Sequence, residues 1–101
     1  MRIVDTLQAI EGRNSVVAYI ARQFGAKAVR DFRKSYKEVR KVMRQFPNSG
    51  TIDWDLSTEQ TLYRFFFIND LSKMVYCVQD NVIYVVDFWD VRREPPTEIK
   101  I

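Results

Sequence analysis

The sequence predicts an α+β domain: an N-terminal strand, an antiparallel helical hairpin, and a C-terminal antiparallel three-stranded meander on which the hairpin packs. Three observations carry this. The stretch from Leu62 to Arg93 alternates runs rich in aromatic and β-branched residues with short polar turns. Residues Val29, Phe32, Tyr36, Val39, Met43 and Phe46 recur in steps of three and four, which draws one apolar stripe along a helix of about five turns. Finally, so few residues separate Phe24 from Lys27 that two helices meeting there must run antiparallel.

Taken in order, Ile3 and Val4 offer a short edge strand. Asp5 or Thr6 supplies the N-cap of the first helix, with Asp5 and Gln8 at capping-box spacing. Leu7, Ile10, Val17, Ile20, Ala21 and Phe24 form its apolar positions, and Gly25 its C-cap. Gly12, Asn14 and Ser15 predict irregular early turns. Pro47-Asn48-Ser49-Gly50 stops the second helix, and residues 51–60 read as a loop or irregular strand with Trp54 or Leu56 tucked onto the core.

The meander consists of the runs Thr61 to Ile68, Ser72 to Gln79 and Val82 to Trp89. Two-residue turns at Asp70-Leu71 and Asp80-Asn81 would set Ile68 against Lys73, Arg64 against Cys77, Cys77 against Tyr84 and Val75 against Val86. In that register one face carries Arg64, Lys73, Gln79 and Tyr84. The other carries Tyr63, Phe65, Phe67, Met74, Tyr76, Val78, Ile83 and Val85, and this second face is expected to lie beneath the helices. Asp87 falls on the supposedly buried face, so either it pairs with a cation near the sheet edge or the register bends there.

Composition narrows the chemistry. At 101 residues the chain is a single domain, 1–101, with enough apolar content for one core. Its single cysteine, Cys77, forms no internal disulfide and points to a reducing, cytoplasmic setting as a buried small hydrophobe. With no histidine, Ser-His-Asp and Cys-His catalysis and most zinc chemistry are excluded. No apolar run approaches the roughly 18 residues of a membrane span, and no signal-peptide pattern opens the chain. Asp53, Asp55 and Glu59 match no metal-loop pattern, and the three glycines form no phosphate-cradling loop, so neither metal nor cofactor is expected.

Charge is concentrated. Lys27, Arg30, Arg33, Lys34, Lys37, Arg40, Lys41 and Arg44 face only Asp31 and Glu38 within the second helix. That segment is +6 while the whole chain is +3, which leaves the remainder at −3. Either these cations form a solvated face, or they contact a polyanion or an acidic protein.

The order of elements and certain residues together resemble the RelE/ParE superfamily of bacterial type II toxin-antitoxin (plasmid stabilisation) toxins. The likeness rests on the helical hairpin ending in Phe46-Pro47-Asn48-Ser49-Gly50, the arginine-bearing strand, the KMVYCV strand, and the closing Trp89-Asp90-Val91-Arg92-Arg93-Glu94-Pro95-Pro96. The resemblance implies a small toxin wrapped by a cognate antitoxin. RelE-like members cut messenger RNA in the ribosome; ParE-like members poison DNA gyrase. It assigns Arg64, Lys73 and Arg93 to the basic positions that are catalytic in RelE-like members, with Arg92 a basic neighbour.

Two departures favour the ParE-like mode. The sequence carries no tyrosine after Arg93 and no histidine to serve as base. Cleavage by a 2′-hydroxyl needs a proton acceptor as well as cations around the phosphorane. Arg64, Lys73, Arg92 and Arg93 supply cations, but only a lysine of depressed pKa, Lys73, or the open-face hydroxyl of Tyr84 is available as base. The bland alternatives are that Arg64 and Lys73 snorkel from a half-covered sheet and that Arg92-Arg93 clamp Asp87, Asp90 or Glu94. A third expectation is an inactive member that only binds antitoxin. The N-terminal edge strand also offers pairing to a second copy as a homodimer.

Overall fold

The computed structural model describes residues 1–90 and Ile99. The elements are β1 (Arg2–Asp5), α1 (Leu7–Phe24), α2 (Ala26–Gln45), β2 (Thr51–Ile52), β3 (Tyr63–Asn69), β4 (Ser72–Gln79) and β5 (Val82–Asp90). Among the described residues they make one mixed sheet of five strands in the order β1-β5-β4-β3-β2. The edge strand expected at Ile3-Val4 joins the meander as β1, and the two-residue β2 makes the sheet one strand larger than expected. The antiparallel β3-β4-β5 centre is extended by β1, which joins β5 in parallel, and by the two residues of β2 on β3.

Both helices form as single continuous elements. Thr6 caps α1, its hydroxyl accepting from the Ala9 N–H at 3.2 Å. Gly25 alone joins the helices, at a positive φ of 85° that glycine adopts without strain. Asp5 reaching Arg40 and Arg13 reaching Tyr36 fix the antiparallel sense of the pair. Gly12 does not break α1. It lets the helix lie directly on β5, because a Cβ there would collide with the Phe88 carbonyl oxygen.

The apolar positions of α1 differ from expectation. Ala9, Val16 and Ile20 are buried, whereas Leu7 and Phe24 point to solvent. In α2 the predicted stripe holds through Phe32, Tyr36, Val39 and Met43, but Phe46, beyond the last turn, is exposed. The helices cover a core of Ile68, Met74, Tyr76, Ile83, Val85 and Phe88, where Phe32 and Phe88 meet edge to face with centroids 5.9 Å apart.

Two bulges decide what faces what. The turn Asp80-Asn81 has positive φ at both residues and sets Gln79 against Val82 and Cys77 against Tyr84, as the sequence predicts. Beyond Tyr76 the register shifts, and Val75 pairs with Asp87, not Val86. The bend anticipated from Asp87 is this bulge. In the first hairpin Asn69 pairs with Ser72 across Asp70-Leu71, but a shift between Phe67 and Asn69 sets Phe67, not Ile68, against Lys73. Consequently β3 is turned over relative to expectation: Phe66 and Ile68 face the helices, and Tyr63 and Phe65 join Val75, Cys77, Val86 and Trp89 on the other face. Leu56 and Ile99 pack onto that second face; Trp54 remains exposed.

Candidate functional site

Lys73 emerges from β4 on the face away from the helices, into a setting made by the segment that follows β2. There the Asp53 N–H donates to the Tyr63 carbonyl at 2.8 Å, and the Asp53 carbonyl accepts from both the N–H and the hydroxyl of Ser57. One oxygen of its carboxylate accepts from the Leu56 N–H at 3.2 Å. The other takes the Lys73 ammonium at 2.9 Å. Phe65 lies beneath the ammonium, 3.8 Å from nitrogen to ring centroid, with Trp89 at 5.2 Å. The lysine thus tethers a loop to the sheet, its charge paired with Asp53 and set against two aromatic rings.

Arg64 is on the opposite face. Its cross-strand partner is Tyr76, and directly paired residues share a face. The guanidinium donates to the Gly50 carbonyl at 2.9 Å. Beside it the fully buried Tyr76 hydroxyl accepts from the Gly50 N–H at 3.0 Å and donates to the Pro47 carbonyl at 2.7 Å. Burial raises the Tyr76 phenol above its ordinary range, against the opposing pull of the Gly50 N–H and of Arg64. Arg64, Asn48, Gln60, Thr61 and Gln79 line a cleft of about 130 Å³ at this end of the sheet.

The grouping of Arg64 and Lys73 on one face is therefore corrected. Lys73 lies three steps along β4 from Tyr76, the partner of Arg64, about 10 Å along the strand, and the two side chains leave from opposite surfaces. The slip at Ile68 is the cause. Tyr84 does lie on the face away from the helices, half-buried beside Cys77, but that face is not open, since Val75, Cys77, Val86 and Trp89 are buried on it, and Tyr84 stands about 13 Å along the sheet from Lys73, too far to exchange a proton with it. Cys77 is buried, and burial pushes its thiol up to about 11. Arg92 and Arg93 lie outside the described residues.

The cations of α2 divide into two sets. Arg40 is not a surface contact: it forks onto Asp5 with bonds of 2.7 and 3.0 Å and lies over the Tyr36 ring at 5.2 Å. Burial alone would lower its pKa, but the Asp5 carboxylate and Tyr36 together outweigh burial and raise it. Lys27 pairs with Asp31 one turn on. Arg30, Arg33, Lys34, Lys37, Lys41 and Arg44 are exposed and make no ion pair with any described residue.

One feature escaped the sequence reading. A groove of about 240 Å³ runs between α1, the start of α2 and the β3-β4 turn, lined chiefly by Val16, Tyr19, Ile20, Phe24 and Leu71. Only the apolar Phe24 at the very end of α1 signalled it, and that residue reads equally well as core. No protein-family model matches this chain, and no curated protein matches it.

Proposed function

We propose that this chain is a toxin of the RelE/ParE kind that acts in the cytoplasm by binding and poisoning a target, DNA gyrase in the ParE-like mode, rather than by cutting RNA. The observation that carries the reading is the separation of Arg64 and Lys73 onto opposite faces of the sheet, with Lys73 committed to Asp53. An RNA-cleaving centre needs its cations and its proton acceptor around one phosphate. The described candidates do not converge on one. The order strand, helical hairpin, antiparallel strands is compatible with the family that the sequence resembles. The groove beside Phe24 suits an apolar segment of a neutralising antitoxin that orders as it binds.

The test is controlled expression of the chain alone in a bacterium, with growth, messenger integrity and the DNA-damage response followed together. Growth arrest with intact messages and an induced damage response is the expected result. Messages cut at translated codons would replace this reading with a ribosome-dependent endoribonuclease, and unimpaired growth would leave an inactive antitoxin-binding member.

A further inference from the structure

Six exposed cations of α2 form a continuous strip. Arg30, Lys34, Lys37, Lys41 and Arg44 follow one another in steps of four, three, four and three, with Arg33 beside them. At 3.6 residues per turn they share an arc of about 100°, and at 1.5 Å per residue they span about 21 Å. The strip points away from the core, since Phe32, Tyr36, Val39 and Met43 occupy the other side of the helix. Its charge is also unspent. The two other cations of the helix are paired, Lys27 with Asp31 and Arg40 with Asp5, while these six make no ion pair with any described residue.

The composition of the strip selects its partner. A protein interface has an apolar or aromatic centre and is poor in lysine, whereas this strip is half lysine with no apolar residue in it. Single-stranded nucleic acid is held by aromatic platforms as well as charge, and the strip has none. What remains is a rigid row of point charges suited to regularly spaced phosphates. Arg33 and Arg44 flank one side and Lys34 and Lys41 the other, an arrangement that reaches phosphates on both walls of a groove. The major groove of B-form DNA, about 12 Å wide, admits a helix; the deep, narrow one of A-form RNA does not.

We propose that the exposed face of α2 is a sequence-independent docking surface for the phosphate backbone of double-stranded DNA. The inference holds whether or not the chain is a toxin. The purified chain is titrated onto a fluorescent mixed-sequence duplex of about 20 base pairs at several salt concentrations. Binding is expected to weaken linearly on a log-log plot with a slope near −4 to −5, about 0.9 for each of some five phosphate contacts. The triple change Arg33→Gln, Lys37→Gln, Lys41→Gln, its fold checked by circular dichroism, is expected to reduce that slope by about 2 to 3 and the low-salt affinity at least tenfold. Arg22→Gln, an exposed cation of α1 rather than of the strip, is expected to change neither. Arg33→Lys should leave the slope intact, because a phosphate reads charge rather than the guanidinium fork. Absence of salt-dependent binding, equal losses from the triple variant and Arg22→Gln, or tighter binding to polyglutamate or single-stranded RNA than to the duplex would each overturn the proposal.

Discussion

The ammonium of Lys73 lies 2.9 Å from the carboxylate of Asp53, a group only 6% exposed, and so binds the loop after β2 to the middle of the sheet. The two partners are not equally dependent on each other. Removing the lysine strands a buried carboxylate, which costs about 3 kcal/mol or more. Removing the carboxylate leaves an ammonium that still has the Phe65 ring and partial access to water. Lys73→Met is therefore expected to lower the urea midpoint more than Asp53→Asn. The double variant should be more stable than Lys73→Met alone, which urea unfolding of all four proteins measures.

Gly12 contradicts helix propensity for a reason found in its contact with β5. On propensity alone Gly12→Ala would stabilise α1 by about 1 kcal/mol. The new methyl would instead strike the Phe88 carbonyl, a backbone atom held in the sheet that cannot swing aside. A net loss of about 2 kcal/mol is expected, from overpacking that outweighs propensity. Thermal or urea unfolding of the single variant decides the sign.

The contrast between Gly12 and the rest of α1 indicates what the sequence could disclose. Periodicity located both helices and the three long strands because apolar spacing is a local property, and Asp80-Asn81 fixed its hairpin because both residues accept positive φ. The bulges at Ile68 and after Val85 leave no such mark. Each inserts one residue among others of the same apolar type, and each reverses the facing of everything beyond it. That is why the sequence alone sets Arg64 and Lys73 on one face. Likewise the partners of Lys73 and Arg40 lie 20 and 35 residues away, so nothing in the spacing of charges distinguished these two fixed cations from the free ones on α2.

Tyr76→Phe tests the junction between α2 and the sheet. The hydroxyl satisfies the Gly50 N–H and the Pro47 carbonyl at once, and the residue has no access to water. Its loss leaves a donor and an acceptor unmet, at a cost of about 2 kcal/mol. Hydrogen exchange is the more discriminating readout: the Gly50 amide should lose protection while amides at the centre of β4 and β5 keep theirs.

Cys77 supplies a dependence on pH whose direction follows from burial. Its thiol is raised from an ordinary value of 9.0 to about 11, so the folded chain holds a proton that the unfolded chain releases sooner. The stabilisation is complete below pH 9 and is lost as pH climbs towards 11, with a slope approaching 1.4 kcal/mol per pH unit and a total of about 2 to 3 kcal/mol. The buried Tyr63 and Tyr76, also raised, add to the fall at the upper end. Cys77→Ala removes the thiol contribution and the part of the Tyr63 rise that the neighbouring Cys77 causes. Between pH 9 and 11 the variant should therefore lose less stability than the native chain, even if it is less stable at pH 7 because of the space it leaves. Unfolding titrations of both proteins across that range give the difference directly, and parallel profiles would refute it. At pH 8 the same burial predicts that iodoacetamide alkylates Cys77 only after denaturant is added.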